Sequence, residues 1–321
     1  MQTKHLVDPE ILPMLDTFPR LHFTPDTLAE IRAVLAETFE QTKTPLPDND
    51  TITMTEHYVP GPHGAPDVRV LLYRPTNIPT PMPVLLWIHG GGYVLGSADQ
   101  DEMQVRMVAE EVGCAVASVE YRLSPETPFP GPVEDCYAAL IWLHGHAAEL
   151  GVDAAHIAIG GASAGGGLAA GLGLLTRDRG KVSLAFQLLI YPMLDDRTVV
   201  STDPNPYTGE FIWTAESNRF GWTALLGQEP GSAGVSPYAA AARAESLVGL
   251  PPTFLSVGAL DLFLEEDMTY AQRLMQAGVP TELHVYPGAY HGFNLWAEAR
   301  VSRAFTSDYL SALRCAFAPA G

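Results

Sequence analysis

The feature that most constrains this chain is a serine enclosed by small residues, in the segment Gly161-Ala162-Ser163-Ala164-Gly165. It directly follows the apolar run 157–159 and precedes a helical pattern, which gives the order strand, tight turn, helix. So sharp a turn needs residues with little or no side chain, because a Cβ at the glycine positions would collide with the neighbouring strand or helix. The turn lifts the Ser163 hydroxyl above a sheet edge, so Ser163 is predicted to be a nucleophile.

Two later segments supply the partners that such a serine requires. A serine hydroxyl needs an imidazole to accept its proton and a carboxylate to orient that imidazole. Asp261 comes just after the strand-like run 253–258, and His291 comes shortly after the strand-like run 283–286. All three residues are therefore predicted at the carboxyl ends of strands, where open α/β sheets place their chemistry. The predicted catalytic residues are Ser163, Asp261 and His291.

A glycine run, His89-Gly90-Gly91-Gly92, follows the predicted strand at 84–88. The intermediate of acyl transfer carries a negative oxygen, and removing one of its preorganised donors costs about 3 kcal/mol. Glycines leave their backbone amides unobstructed, and the residue after the nucleophile supplies one more amide. We predict an oxyanion hole formed by the amides of Gly91, Gly92 and Ala164. The alternative is that the run is only a flexible turn.

Taken together, these motifs and their order resemble the hormone-sensitive-lipase-like family of bacterial carboxylesterases within the α/β hydrolases. The resembling segments are spread from about residue 85 to 295. They are His89-Gly90-Gly91-Gly92-Tyr93, Tyr121-Arg122-Leu123-Ser124-Pro125-Glu126, Phe129-Pro130-Gly131-Pro132-Val133-Glu134-Asp135, Gly161-Ala162-Ser163-Ala164-Gly165-Gly166 and His291-Gly292-Phe293. The resemblance implies hydrolysis of short- to medium-chain acyl esters through an acyl-enzyme, with no cofactor and no metal. It also implies an α/β-hydrolase fold: a mostly parallel eight-stranded sheet flanked by helices, with a helical cap.

The chain departs from that family pattern near the predicted catalytic acid. Family members commonly carry a proline directly after this acid, whereas Leu262 stands here. Glu265 and Glu266 are the alternative carboxylates in this region. They fit better as first-turn residues of the next helix, where negative charge is favoured. Asp261 is therefore the predicted acid.

The pattern of strands and helices predicts one catalytic body and a two-part cap. Eight strands are expected near residues 53–59, 68–74, 84–89, 115–121, 156–161, 184–191, 252–258 and 281–286. A helix is expected over 25–43 with Thr24 as its N-cap, followed by a linker at 44–50. The expected division is an N-terminal cap segment at 1–50, a second cap segment at 194–234, and a catalytic domain formed by 51–193 and 235–321.

The second cap segment contains a helix-like, aromatic-rich run from Glu210 to Leu226. A lid above the active site excludes water and supplies an apolar wall for an acyl chain. We predict Tyr93, Phe211 and Trp213 as substrate-binding residues. The alternative for the cap aromatics is that they only join the two cap segments, as buried aromatics often do.

Two further predictions concern charge and location. The formal net charge of −19 disfavours nucleic acid and anionic lipid surfaces as partners. No long apolar stretch marks a secretory signal or a membrane span, and the three cysteines are odd in number and far apart, so we expect a cytoplasmic protein with reduced thiols.

A homodimer is one expected assembly. We also expect Arg122, Glu126 and Glu134 to form a structural ion-pair cluster.

Three functions fit the sequence. The first is a serine carboxylesterase acting on small-molecule esters. A lactonase, amidase or deacetylase could use the same triad, because specificity belongs to the pocket rather than to the fold. The remaining function is a non-catalytic small-molecule receptor on the same scaffold. The presence of His291 favours an enzyme over such a receptor.

Overall fold

The computed structural model describes residues 2–19, 21–42 and 51–318, and these residues form eight strands and eight α-helices. The strands are β1 Ile52–Val59, β2 Val68–Pro75, β3 Met82–Ile88, β4 Ala115–Glu120, β5 Val152–Ala162, β6 Phe186–Ile190, β7 Thr253–Gly258 and β8 Thr281–Tyr286. The helices are α1 Leu28–Thr42, α2 Glu102–Val112, α3 Gly131–Gly145, α4 Ala147–Leu150, α5 Ala164–Arg179, α6 Ala215–Leu226, α7 Leu264–Gln276 and α8 Arg300–Phe317. The predicted eight-stranded α/β fold is confirmed, with β5 starting four residues earlier than expected.

One sheet contains all eight strands in the order β1-β2-β4-β3-β5-β6-β7-β8. β2 pairs antiparallel with β1 and with β4, and every other pairing is parallel. Strands β3, β6 and β7 are almost wholly buried, which explains why they are continuous apolar runs rather than alternating ones. The strand order reverses at β3, and the crevice at such a switch point is where α/β sheets bind ligands. The turns after β3 and β5 border that crevice.

The helix-like run over Glu210–Leu226 is only partly helical, so that prediction was too long. Helix α6 begins at Ala215, where the hydroxyl of Thr214 accepts a hydrogen bond from the Ser217 amide at 3.3 Å and caps the helix. Residues 211–213 form a tight turn instead, with Ile212 at a φ of 61°. Because the whole stretch is rich in aromatic residues, its sequence did not show that the helix begins only at Ala215.

The N-terminal segment contacts residues 194–234, the predicted second cap segment. Phe23 stacks on Phe220 at 5.7 Å between ring centroids and tilts against Trp213 at 5.8 Å. Helix α1 begins at Leu28, and the Thr24 hydroxyl accepts a hydrogen bond from the Thr27 amide at 3.1 Å. The predicted linker at 44–50 lies outside the described residues.

The predicted cluster of Arg122, Glu126 and Glu134 does not form. Arg122 instead binds the fully buried Asp135 on α3, at 2.7 Å. Glu126 binds Arg32 of α1 at 2.7 Å, and Glu134 binds Arg179 at 2.9 Å. Sequence proximity misled the prediction, because Glu134 and Asp135 point to different sides of α3 and reach different partners.

Cys114 and Cys136 are buried and unbridged, and Cys315 is exposed. Within the described residues, no helix combines the length and apolarity that crossing a membrane requires.

Candidate active site

Ser163 lies on the strained turn between β5 and α5, with a φ of 58° and a ψ of −121°. Its amide donates a hydrogen bond to the Ile190 carbonyl at 2.9 Å, which ties the turn to β6. A Cβ on Gly161 or on Gly165 would overlap the backbone of the neighbouring β3 strand at Ile88. The small residues are therefore required by close backbone approach, and they hold the serine in a conformation that a non-glycine residue rarely adopts.

The structure brings Ser163, His291 and Asp261 together in one hydrogen-bonded chain. Nε2 of His291 lies 2.9 Å from Oγ of Ser163, and Nδ1 of His291 lies 2.8 Å from Oδ2 of Asp261. An ionised carboxylate only accepts hydrogen bonds, so Nδ1 carries the ring proton and Nε2 is left to accept the proton of the serine. The Asp261 side chain is fully buried, and its other oxygen accepts the Phe263 amide at 3.0 Å.

Three aromatic rings hold the imidazole in place. Tyr191 and Phe263 meet the His291 ring edge-on, at 4.8 and 5.2 Å between centroids, and Trp213 lies 6.5 Å away. Tyr191 in turn donates its hydroxyl hydrogen bond to Asn294 at 2.7 Å. This packing limits the orientation of His291 without occupying either ring nitrogen.

The glycine loop after β3 approaches the serine turn. A Cβ on Gly90 would lie 3.5 Å from Cβ of Ser163. Gly91 and Gly92 have φ values of 124° and 60°, which favour glycine, and no hydrogen bond from their amides to another described residue is found. The amide of Ala164 is at the first position of α5, where helix amides lack partners within the helix. These three amides are therefore available to a ligand oxygen.

His89 supports this loop from inside the protein. Its Nδ1 hydrogen-bonds the Gly90 carbonyl at 2.8 Å, and its ring stacks on Tyr121 at 4.2 Å. Burial lowers the pKa of His89 to about 4, so the ring is neutral at pH 7. The neutral imidazole donates from Nδ1 to the Gly90 carbonyl. This hydrogen bond fixes the path of the loop where it leaves β3.

The three predicted substrate-binding residues occupy different positions. Trp213 lies over Gly92, where a Cβ on that glycine would overlap its ring. Phe211 packs edge-on against Tyr290, the neighbour of His291 in the chain, at 5.9 Å. Tyr93 is fully buried, and its hydroxyl donates to the Met193 carbonyl at 3.0 Å. Tyr93 thus packs within the core, whereas Trp213 adjoins Gly92 and His291.

Some residues that shape the site gave no signal in the sequence. Asn218 of α6 accepts a hydrogen bond from Nε1 of Trp213 at 3.1 Å, and Tyr191 and Phe263 pack on His291. Asparagine inside a helix is ordinarily unremarkable, and nothing in its spacing links it to a tryptophan in the preceding turn. The positive φ values of Tyr191 and Ile212 were equally hidden, because neither residue type favours that conformation.

Helix α7, which begins shortly after Asp261, carries two buried acids. Glu266 accepts hydrogen bonds from the amides of Leu194 at 2.7 Å and Asp195 at 3.2 Å, and burial raises its pKa well above the usual value. Asp267 is fully buried, and neither of its carboxyl oxygens has a hydrogen-bond partner among the described residues. Burial also raises the pKa of Asp267 well above its usual value, so this side chain is favoured in its protonated form. Through its hydrogen bonds, Glu266 joins helix α7 to the backbone at Leu194 and Asp195.

Comparisons with known proteins agree with this geometry. A family model described as the α/β-hydrolase fold matches residues 85–295. The carboxylesterase NlhH of Mycobacterium tuberculosis is 34% identical over 288 residues, which cover 89% of this chain and 88% of that protein. The solved structure of a bacterial heroin esterase is 44% identical with a TM-score of 0.92, covering 98% of this chain and 99% of the other. Esterase LipW from Mycobacterium marinum is 34% identical with a TM-score of 0.87, covering 99% and 98%.

The family match extends over more than half of the chain, from the strand before the glycine loop to the segment just beyond His291. It includes all the motifs on which the sequence resemblance rested. This chain is therefore an α/β hydrolase of the hormone-sensitive-lipase-like family.

Proposed function

We propose that this chain is a serine carboxylesterase that hydrolyses short- to medium-chain acyl esters through an acyl-enzyme intermediate. The observation that carries the proposal is the hydrogen-bonded chain from Asp261 through His291 to Ser163, with distances of 2.8 and 2.9 Å. The free amides of Gly91, Gly92 and Ala164 beside it supply the second requirement of acyl transfer. The names of the relatives, which are carboxylesterases and esterases, support the same reaction.

The proposed reaction has two half-cycles. Oγ of Ser163 attacks the ester carbonyl carbon while its proton moves to Nε2 of His291, and the three amides hold the negative oxygen. When the intermediate collapses, the C–O bond to the alcohol breaks and Nε2 returns the proton to the leaving oxygen. Water then attacks the acyl-enzyme in the same way, which releases the acid product and regenerates the free serine. Asp261 holds the imidazole in the required tautomer throughout.

The acyl length rests on the family resemblance. Lactonase, amidase and deacetylase activities use the same groups and differ in the pocket. A receptor without catalysis is disfavoured, because the base stands within hydrogen-bond distance of the nucleophile.

We further propose that residues 1–50 and 194–234 act as the cap of a catalytic domain formed by 51–193 and 235–321. The contacts of Phe23 with Phe220 and Trp213 support this division. A cytoplasmic location, a small-molecule ester as the ligand, and a homodimer belong to the same proposal. β8 is an edge strand of the sheet and offers unpaired backbone groups to a second copy. Light scattering of the purified protein tests the assembly.

Replacement of the nucleophile tests the reaction. We expect Ser163→Ala to lower kcat for p-nitrophenyl acetate by at least about 10⁴-fold, since loss of a triad serine has larger effects than that in a related mechanism. Circular dichroism should show an unchanged fold. Profiling p-nitrophenyl esters from acetate to laurate then defines the acyl preference. Full activity in the alanine variant, or no ester hydrolysis by the native protein, would refute the proposal.

A further inference from the structure

A strained turn in the cap lies directly over the catalytic residues. The Trp213 amide donates to the Phe211 carbonyl at 2.7 Å and closes a three-residue turn around Ile212. Ile212 has a φ of 61°, and a β-branched residue in this region is a genuine outlier. Just before the turn, the amide of Gly209 donates to the carbonyl of Leu260 at 3.1 Å. Such a conformation persists only where surrounding contacts determine it.

Those contacts lead to the catalytic groups. Phe211 packs on Tyr290, and Ile212 lies within van der Waals reach of the position that a Cβ on Gly292 would take. The Trp213 ring covers Gly92 and lies 6.5 Å from the ring of His291. The turn therefore directs one indole into the space between the oxyanion loop and the base.

Asn218 holds this indole in position. Oδ1 of Asn218 accepts the hydrogen bond of Nε1 of Trp213 at 3.1 Å, and the asparagine is fully buried. Phe23 from the N-terminal segment supports the other side of the ring at 5.8 Å. A buried indole N–H that finds its partner resists displacement, because separating the pair leaves both groups unsatisfied.

The other face of the same turn lines a cleft of about 400 Å³ between the two cap segments. The neighbours of Trp213 contribute to that cleft, whereas its own ring lies on the catalytic side. Phe18 and Leu21 line it from the N-terminal segment, and Phe211, Ile212 and Thr214 line it from the turn. A cleft of this volume is large enough for a sizeable organic group.

We infer that Trp213, positioned by Asn218, is the residue that limits the size of the alcohol part of the ester. This inference rests on the proposed function. His291 delivers its proton to the leaving oxygen, so the alcohol part of the substrate lies on the His291 side of the scissile bond. The indole stands there, over Gly92 and 6.5 Å from the ring of His291. Esters of small alcohols fit beneath it, and esters of long alcohols meet the ring.

Two substrate series separate the alcohol part from the acyl part. One series consists of the acetates of ethanol, butanol and octanol, and the other of the ethyl esters of acetic, butyric and octanoic acid. Hydrolysis is followed by pH-stat titration for the native protein, Trp213→Leu and Trp213→Phe. Trp222→Phe is the matched control, because Trp222 is a fully buried indole of the same cap segment that packs on Tyr93 at 5.3 Å.

For Trp213→Leu we expect the ratio of kcat/KM for octyl acetate to that for ethyl acetate to rise by about 10-fold or more, the scale on which pocket size discriminates apolar groups. Trp213→Phe should show a smaller rise, and it decides the question if the leucine variant does not fold. Trp222→Phe should keep the native ratio.

Asn218→Leu tests the positioning role. It removes the acceptor of the indole hydrogen bond. We expect it to raise the alcohol ratio, which is kcat/KM for octyl acetate divided by that for ethyl acetate, by a few fold. The acyl ratio, which is kcat/KM for ethyl octanoate divided by that for ethyl acetate, should show no matching change. A merely structural residue would lower all rates together and leave both ratios unchanged. Unchanged alcohol ratios in both Trp213 variants, or a change confined to the acyl series, would overturn the inference. Failure of the native protein to hydrolyse any of these esters would instead contradict the proposed function.

Discussion

The proposed catalytic domain, called the body here, and the proposed cap both contribute residues near Ser163 and His291 but are built in different ways. In the body, Ser163, Asp261 and His291 each follow the end of a parallel strand, and backbone hydrogen bonds of the sheet set their positions. In the cap, Trp213 reaches the site through a strained turn and is held by Asn218, five residues further along the chain, and by Phe23 from the N-terminal segment. The chemistry therefore depends on sheet geometry, whereas the shape of the pocket depends on side-chain packing.

The two regions also differ in their charges. The body buries Asp261, Glu266 and Asp267, where a carboxyl group is costly unless it is paired or protonated. The ion pair that joins α1 of the cap to the body, Arg32 with Glu126, is partly exposed. Exposed pairs contribute little because water screens them. Substitutions in the body should accordingly have larger effects than those at the edge of the cap.

The largest effect is expected at Asp261, the carboxylate of the proposed triad. Asp261→Asn keeps the shape of the side chain but turns a hydrogen-bond acceptor into a donor on the Nδ1 side of His291. The imidazole then adopts the wrong tautomer, and kcat should fall by about 10⁴-fold. Steady-state kinetics with p-nitrophenyl acetate measures this. The neighbouring exposed Glu265→Gln is the control, and an equal loss in both variants would contradict the role of Asp261.

A smaller loss is expected where the body touches the cap. Gly92→Ala places a methyl group against the Trp213 ring and forces a non-glycine residue to a φ of 60°, so kcat/KM should fall by about 10²-fold, the scale for loss of one oxyanion donor. Gly227→Ala is the matched control, because Gly227 has a φ of 64° with nothing near its Cβ position. Adding Trp213→Leu to Gly92→Ala should recover part of the loss. A double-mutant cycle that shows simple additivity would indicate that the two regions are independent here.

The buried acid Asp267 should affect stability rather than rate. Its pKa is raised in the folded protein, so its contribution to stability is fully present below the usual pKa of Asp, about 4, and is lost as the pH rises toward the folded value. Asp267→Asn cannot ionise. Relative to the native protein, its free energy of unfolding should therefore increase by more than about 1 kcal/mol between pH 5 and pH 7.

Urea unfolding at several pH values measures this difference. Glu265→Gln, an exposed substitution in the same helix turn, should stay within about 0.5 kcal/mol of the native protein at each pH. A constant difference between Asp267→Asn and the native protein across this range would mean that Asp267 is ionised in the folded state.

The smallest effect is expected at the anchor of the N-terminal segment. Arg32 donates to the carbonyls of Val94 and Ser124, both at 2.8 Å, and to Glu126. Arg32→Ala should lower the free energy of unfolding by about 1 kcal/mol and speed proteolysis of the N-terminal segment. Arg219→Ala removes a more exposed ion pair and a hydrogen bond to the Val199 carbonyl, neither of which involves the N-terminal segment, so it should not speed proteolysis of that segment. Equal proteolysis of both variants would show that Arg32 does not hold the segment.

Local sequence patterns predicted most of the strands and turns of the body. The apolar runs identified all eight strands, and the small residues around Ser163 and the glycines after His89 identified the turns at the switch point. These features are readable because each depends on the backbone of a few consecutive residues. The errors arose where a side chain chooses its partner in space. Arg122 was assigned to Glu126 and Glu134 but binds Asp135, and α6 was extended through a segment that forms a turn.

By itself, the sequence determined the fold, the order of the strands along the chain and the identities of the predicted nucleophile, acid and base. Backbone sterics and hydrophobic periodicity act over short distances, so they leave a direct trace in neighbouring residues. Only the tertiary structure decided that Asn218 holds Trp213, that Ile212 is strained, and that Asp267 is buried with no hydrogen-bond partner among the described residues. Each of these depends on where side chains and backbone lie in the folded protein, and such contacts leave no periodic signal in the residues that make them.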